Sequence, residues 1–273
     1  MVDLADLLAD LATESEQLDA LVSALAPADW ARPTPAPGWT VGHQIAHLAW
    51  TDHVALLAAT DTAAFFASVT TAPDPARLVD DGAEEFLAPP AELLARWRAG
   101  RTALAEALAA APPGEKLPWY GTRMSPASMA TARIMETWAH GEDVADALGV
   151  TRPASARLRH VAYLGFRTLG HSFAAHGRPV PTVPVRIELA APDGTTWSFG
   201  PTDAADRVTG PALDFCLLVT QRRHRADLTL TATGPVADEW LDVAQAFAGP
   251  PGAGRPPADS PTPDTTVDSG VPA

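Results

Sequence analysis

The chain has 273 residues, 47% of them hydrophobic, and a formal net charge of −14, enough apolar material for one large domain or two modest ones. That charge excludes a phosphate-binding surface and a general affinity for anionic membranes, because nucleic-acid partners require a basic face. Cys216 is the sole cysteine, which excludes a disulfide framework and a thiolate cluster for a metal.

Leu4, Leu7, Leu8, Leu11, Leu18, Leu21, Val22 and Leu25 keep an i, i+3/i+4 spacing and predict a long first helix. Its acidic start lacks the basic stretch and cleavage site of a signal peptide, and no apolar run is long enough for a bilayer, so the expected location is the cytosol. RPTPAPG breaks the chain; Thr40 then serves as N-cap for a helix running towards Thr60, with Trp39 as its staple residue. Residues 61–90 are acidic and read as an excursion with at most short helices. Leu93, Leu94, Trp97, Leu104 and Leu108 mark a third long helix. LPWYGTRMS reads as a loop, after which Ser125 and Pro126 start a fourth helix that Gly149 ends. Leu158, Val161, Leu164, Leu169 and Phe173 predict a fifth helix, closed by Gly177.

From Pro181 the period changes to two. Val183, Val185, Ile187 and Leu189 alternate, Pro192-Asp193-Gly194 turns the chain, and Trp197 and Phe199 resume the alternation as a hairpin. GPALDFCLLVTQRR reads as a helix, DLTLTAT as a strand and PVADEWLDVAQAFAG as a last helix. The predicted fold class is therefore α plus α+β: a helical bundle over residues 1–178, a small ββαβα unit over 181–249, and a Pro/Gly/Ser/Thr-rich disordered tail over 250–273.

Two segments carry chemistry. In GWTVGHQIAHLAW, His43 and His47 share a helix face with Trp50 and Val54; in METWAHGEDVADALG, Glu136 and His140 share one likewise. A lone histidine on an apolar face is more often bonded to a carbonyl, and an i,i+4 Glu–His pair is often a local hydrogen bond. Two such pairs in one bundle equally suit a carboxylate–histidine metal site, and on spacing alone the two readings stand level. Trp119, Tyr120 and Arg123 either meet substrate at the bundle mouth or plug the core end and meet solvent. Trp50 and Trp138 are expected as walls beside the ligands, and Asp52 either orients a ligand histidine or is exposed. The basic run QRRHR, residues 221–225, either caps a helix C-terminus, the favoured reading, or reaches an anionic substrate. Cys216 belongs to an apolar helix and reads as core, not nucleophile. No G-x-S-x-G, H-E-x-x-H, Walker A or helix-opening G-x-G-x-x-G is present.

The GWTV start, HLAW and the later E-x3-H together resemble the DinB/YfiT-like metalloenzyme superfamily and, within it, the mycothiol-dependent maleylpyruvate isomerase family. TGPALDFCLLVTQRR and VADEWLDVAQAFAGPPGAGR resemble an actinobacterial metal-binding branch. The resemblance implies a DinB-like four-helix bundle with metal ligands His47, Glu136 and His140, and a sterol-carrier-like C-terminal domain for the ββαβα unit. It implies a divalent metal, zinc by default with Fe, Ni, Mn or Co suiting the same donors, and mycothiol as cosubstrate held beside Trp119 and Trp50. The implied function is a thiol S-transferase or isomerase acting on a small electrophilic metabolite, with His43, Tyr120 and Arg123 as catalytic residues. Its partners are that metabolite and a low-molecular-weight thiol; nucleic acid and membrane are excluded, and the protein is a monomer or homodimer. Two alternatives stay open: a thiol-independent Lewis-acid hydrolase, lyase or cyclase, and a non-enzymatic protein carrying an apolar ligand in its C-terminal unit. The chain departs from its relatives at His43, where they often carry an acidic residue. In the first helical turn a protonated imidazole is disfavoured, so His43 is expected neutral, lining the pocket as a base or behind the ligands.

Overall fold

The structure is a computed structural model that describes residues 3–70, 74 and 76–259. Four long helices, α1 (Leu4–Ser23), α2 (Val41–Thr60), α5 (Pro90–Ala110) and α6 (Pro126–Leu148), pack α2 on α5, α1 on α6 and α2 on α6. Each start has a local cause. The Asp3 carboxylate accepts from Ala5 N, Thr40 and His43 form a reciprocal capping box, and Ser125 Oγ accepts from Ser128 N ahead of Pro126. Gly149 ends α6 with a positive φ of 67°, a conformation that lets its N–H reach the last carbonyls. The acidic excursion holds two short helices, α3 (Thr62–Thr70) and α4 (Leu78–Phe86), and α4 lies against α2.

Four expectations are corrected. LPWYGTRMS is a hairpin, β1 (Leu117–Trp119) and β2 (Thr122–Met124), turned at Tyr120 and Gly121, where Gly121 supplies φ 78°. The fifth helix is two, α7 (Leu158–Arg167) and α8 (Leu169–Ala175), because the Thr168 hydroxyl donates to Gln245 O at 2.7 Å and pulls the chain towards the second unit. A strand absent from the expected ββαβα order, β5 (Asp206–Pro211), runs parallel to β3 (Val185–Ala190) in the middle of the sheet. Its sequence, DRVTGP, shows a single buried aliphatic residue, Val208, and so gives almost no alternation to read. Finally, the chain beyond Gly249 is not all tail: Arg255 bonds Asp143 and Asp146. The rest of the expected tail, residues 260–273, lies outside the described residues.

The sheet runs β4-β3-β5-β6, with β4 (Thr196–Phe199) and β6 (Thr231–Thr233) at its edges. Val185, Ile187, Leu189 and Val208 form one core with Phe215 and Cys216 of α9 (Ala212–Val219) and Trp240 of α10 (Pro235–Val243). That core also contains Met135, Trp138 and Ala139 of α6. Helix α6 is thus buried on two sides, one against the bundle and one against the sheet unit. Trp138 is accordingly no wall of the site: two positions from both Glu136 and His140, it points to the opposite face.

Charge reinforces the seam between the units. Arg222 and Arg255 both bond Asp143, and Arg223 and Arg255 both bond Asp146. Arg222 also donates to Thr220 O at the end of α9, so QRRHR combines a helix cap with docking onto α6.

Where α4 crosses α2, Gly82 touches the Trp50 ring, and a Cβ there would fall 2.3 Å from Trp50 Cε2. Gly82→Ala is therefore expected to destabilise the protein by about 1–3 kcal/mol through overpacking. Urea unfolding of the two proteins checks it; an unchanged midpoint would mean that α4 yields freely.

Candidate metal centre

Helices α2 and α6 run antiparallel, and their facing residues build the site. His47 Nε2 and His140 Nε2 both lie 3.3 Å from Glu136 Oε2, and the two imidazole centroids are 4.3 Å apart. One ligand atom from each of the three lies within 4.8 Å of the others. His47 is 5% exposed, and Glu136 and His140 are partly buried. Two nitrogen donors and one oxygen donor converging in this way suit zinc or another borderline divalent cation, and three protein ligands leave coordination positions open.

The orientation of His140 comes from a residue the spacing argument overlooked. Gln44, fully buried, accepts from His140 Nδ1 at 2.5 Å through its Oε1. Gln44 Nε2 then donates to Thr34 Oγ1 at 2.9 Å, and that hydroxyl donates to Trp39 O at 2.9 Å. The bond puts the His140 proton on Nδ1 and leaves Nε2 with its lone pair towards Glu136. A sequence signal existed: Gln44 stands three residues before His47 and so shares its face.

Trp39 is not a helix staple. Its ring lies 5.3 Å from His47 and 6.0 Å from His140, nearly parallel to the latter, and its indole N–H donates to Asp80 on α4. His43 stands outside the triad. Its Nδ1 accepts from Thr40 N at 3.2 Å and its Nε2 is 3.2 Å from Glu84 Oε1, while its ring lies 6.4 Å from Trp39. Asp52 neither orients a histidine nor meets solvent: it is 4% exposed and accepts from Arg133 Nε at 2.8 Å. Burial pushes its carboxyl up despite the guanidinium beside it.

Trp50 links the triad to the hairpin, lying 6.0 Å from His47 and sharing a cluster with Phe65, Trp119 and Tyr120. Trp119 and Tyr120 line a cavity of about 360 Å³ with Phe65, Phe66, Val69 and Arg123. Arg123 itself is exposed and donates to the Lys116 carbonyl; among the described residues no hydrogen bond or ring contact joins it to the triad. Burial pushes the Tyr120 phenol up to about 12, against the opposing charge of Arg133, so it is a proton donor at neutral pH. Cys216 is fully buried and donates to Leu158 O, and burial holds its thiol well above the ordinary range.

Burial pushes Glu136 up, but the two imidazoles beside it, His140 and His47, outweigh it and hold the carboxyl well below the usual range. Burial, then the neighbouring His47, push His140 down to about 4 from 6.5, against the attraction of Glu136. The unfolded chain therefore binds the His140 proton more readily, and metal-free protein is expected to lose stability as pH falls from about 6.5 to about 4. The Glu136 contribution, present above the ordinary carboxylate range, goes as pH falls further through its depressed value. Denaturant midpoints of chelator-treated protein, read against pH, check this. The slope from His140 is bounded by about 1.4 kcal/mol per pH unit and should vanish in His140→Gln; a slope that survives there would refute it.

Residues 11–145 match the family described as "Mycothiol maleylpyruvate isomerase N-terminal domain", and residues 181–233 match one described as "Wyosine base formation". Two uncharacterized proteins of Mycobacterium tuberculosis, from strains CDC 1551 and H37Rv, are each 58% identical over 258 residues, covering 93% of this chain and all of theirs. The crystal structure of the mycothiol-dependent maleylpyruvate isomerase superposes with a TM-score of 0.57 at 16% identity, covering 85% of this chain and 93% of that one. A histidine-to-alanine mutant of the same enzyme superposes equally well, at 15% identity. The helical part and the small mixed sheet therefore share that enzyme's fold, and residues 11–145 belong to the mycothiol maleylpyruvate isomerase N-terminal domain family.

Proposed function

We propose that this protein is a divalent-metal-dependent enzyme that uses a low-molecular-weight thiol, of the mycothiol type, on a small electrophilic metabolite, as an S-transferase or isomerase. The observation that carries the proposal is the convergence of His47, Glu136 and His140 from two distant stretches of chain. The donors fit the group: two imidazole nitrogens and a carboxylate held in its ionised form are what a catalytic zinc site requires. A bound divalent cation supplies Lewis acidity, lowering the pKa of a thiol or water brought to it.

The chain's own residues supply the rest. Gln44 holds His140 in the tautomer that presents Nε2. Trp39 and Trp50 flank the histidine rings and exclude water from them. Tyr120 holds a proton on its phenol and can donate it to a developing negative charge. His43, whose Nδ1 accepts from Thr40 N and whose Nε2 faces Glu84, stands beside Trp39 and steadies the ring that covers His47 and His140. Cys216 is sequestered in the other core, so the nucleophilic sulfur comes from the cosubstrate. We assign residues 1–178 to the metal-binding unit and 181–249 to the sheet unit.

Protein purified without chelator is expected to carry a stoichiometric divalent cation, measured by elemental analysis. His47→Ala should lose it; Gln44→Leu should weaken its binding about 10–100-fold; His43→Ala should keep it and slow turnover with mycothiol. A metal-free wild type would refute the proposal, and exchanged phenotypes for His43 and His47 would move the ligand by one helical turn.

A further inference from the structure

Trp39 joins the centre to the surface of the protein. Its ring lies 5.3 Å from that of His47 and 6.0 Å from that of His140, while its indole N–H donates to Asp80 Oδ1 of α4 at 3.0 Å. Trp39 is partly exposed and Asp80 exposed, whereas His47 is 5% exposed. The indole therefore stands between the two histidines and solvent.

The backbone of Trp39 is pinned, so any motion belongs to its side chain. Its carbonyl accepts from Thr34 N at 2.8 Å and from Thr34 Oγ1 at 2.9 Å, its backbone N–H donates to Ala36 O at 3.0 Å, and Pro33 bridges to Thr40. An indole has one N–H, so the bond to Asp80 is what sets the angle of the ring. An exposed hydrogen bond exchanges with water at small net cost, and a side chain so released changes rotamer quickly. Trp50, the other indole beside His47, differs in kind: it is 7% exposed and wedged against Gly82, where even a Cβ has no room. One indole is thus fixed by packing and the other by a single bond at the surface. Helix α4 adds a second tie at the same corner. Glu84, four residues after Asp80 and on its face, lies 3.2 Å from His43 Nε2, and the His43 ring stands 6.4 Å from Trp39.

We propose that the Trp39 ring is the gate between this centre and solvent and that Asp80 is the positioning residue that holds it closed, so that metal, thiol and substrate pass when their bond breaks; this rests on the metal-enzyme reading above. The test follows zinc out of loaded full-length protein into EDTA, and back into stripped protein, with bound zinc counted by elemental analysis after gel filtration at timed intervals. Asp80→Ala should speed both loss and uptake about tenfold and leave the dissociation constant within about threefold of wild type, because a gate alters rates and not the bound state. Trp39→Phe, which keeps a ring but loses the N–H, should do the same, and the double variant should be no faster than either single one. Asp80→Asn keeps an acceptor oxygen and should stay nearer to wild type. The proposal fails if Asp80→Ala leaves both rates unchanged, or if its zinc affinity falls in proportion to the faster loss, which is what a brace for the ligands would give. It fails also if the effects of the two substitutions multiply, or if Asp80→Asn behaves as Asp80→Ala does. Zinc content is measured on the same samples: a zinc-free wild type refutes the metal reading and the gate with it, while zinc-loaded protein whose rates ignore Asp80 refutes the gate alone.

Discussion

The buried ion pair between Asp52 and Arg133 joins the two helices that carry every donor of the centre. A buried pair of this kind is weak evidence for stability, because desolvation offsets much of the attraction, but its loss on one side is severe. What it supplies is register. Asp52 meets Arg133, His47 meets Glu136 and Gln44 meets His140. Rising on α2 while falling on α6, these three contacts fix an antiparallel pair that cannot slide by a turn without stranding a charge.

Within that frame the site is held from behind by neutral groups. The hydrogen bonds from His140 through Gln44 and Thr34 end at the carbonyl of Trp39, whose ring returns over the two histidines. One loop thereby sets both the tautomer of His140 and the cover above it. The indole N–H of Trp39 reaches Asp80 of α4, so the irregular acidic stretch is tied to the centre and is not a bystander.

Much of this was legible in the sequence, for identifiable reasons. The capping signals at Thr40, Ser125 and Gly149 are local chemistry and mark the ends of the two site helices directly. Helical spacing put His47 on one face and Glu136 with His140 on another, yet it could not say that the faces meet. Spacing is silent as well on which polar residue pairs with which: Asp52 looked free, and Gln44 and Arg133 looked like ordinary helix residues, because their partners lie 81 to 96 positions away. The strand β5 escaped for a different reason. It is placed by its neighbours in the sheet, and a segment buried between strands needs no alternation of its own.

Helix α6 offers Glu136 and His140 on one side and Met135, Trp138 and Ala139 to the sheet unit's core on the other. A bundle cut free of the sheet would expose those apolar side chains and leave Asp143 and Asp146 without the arginines that neutralise them. The two units therefore have little independence as parts. A swap of the C-terminal unit among relatives, in the laboratory or in evolution, has to preserve the seam along α6 before any graft can leave Glu136 and His140 where they are.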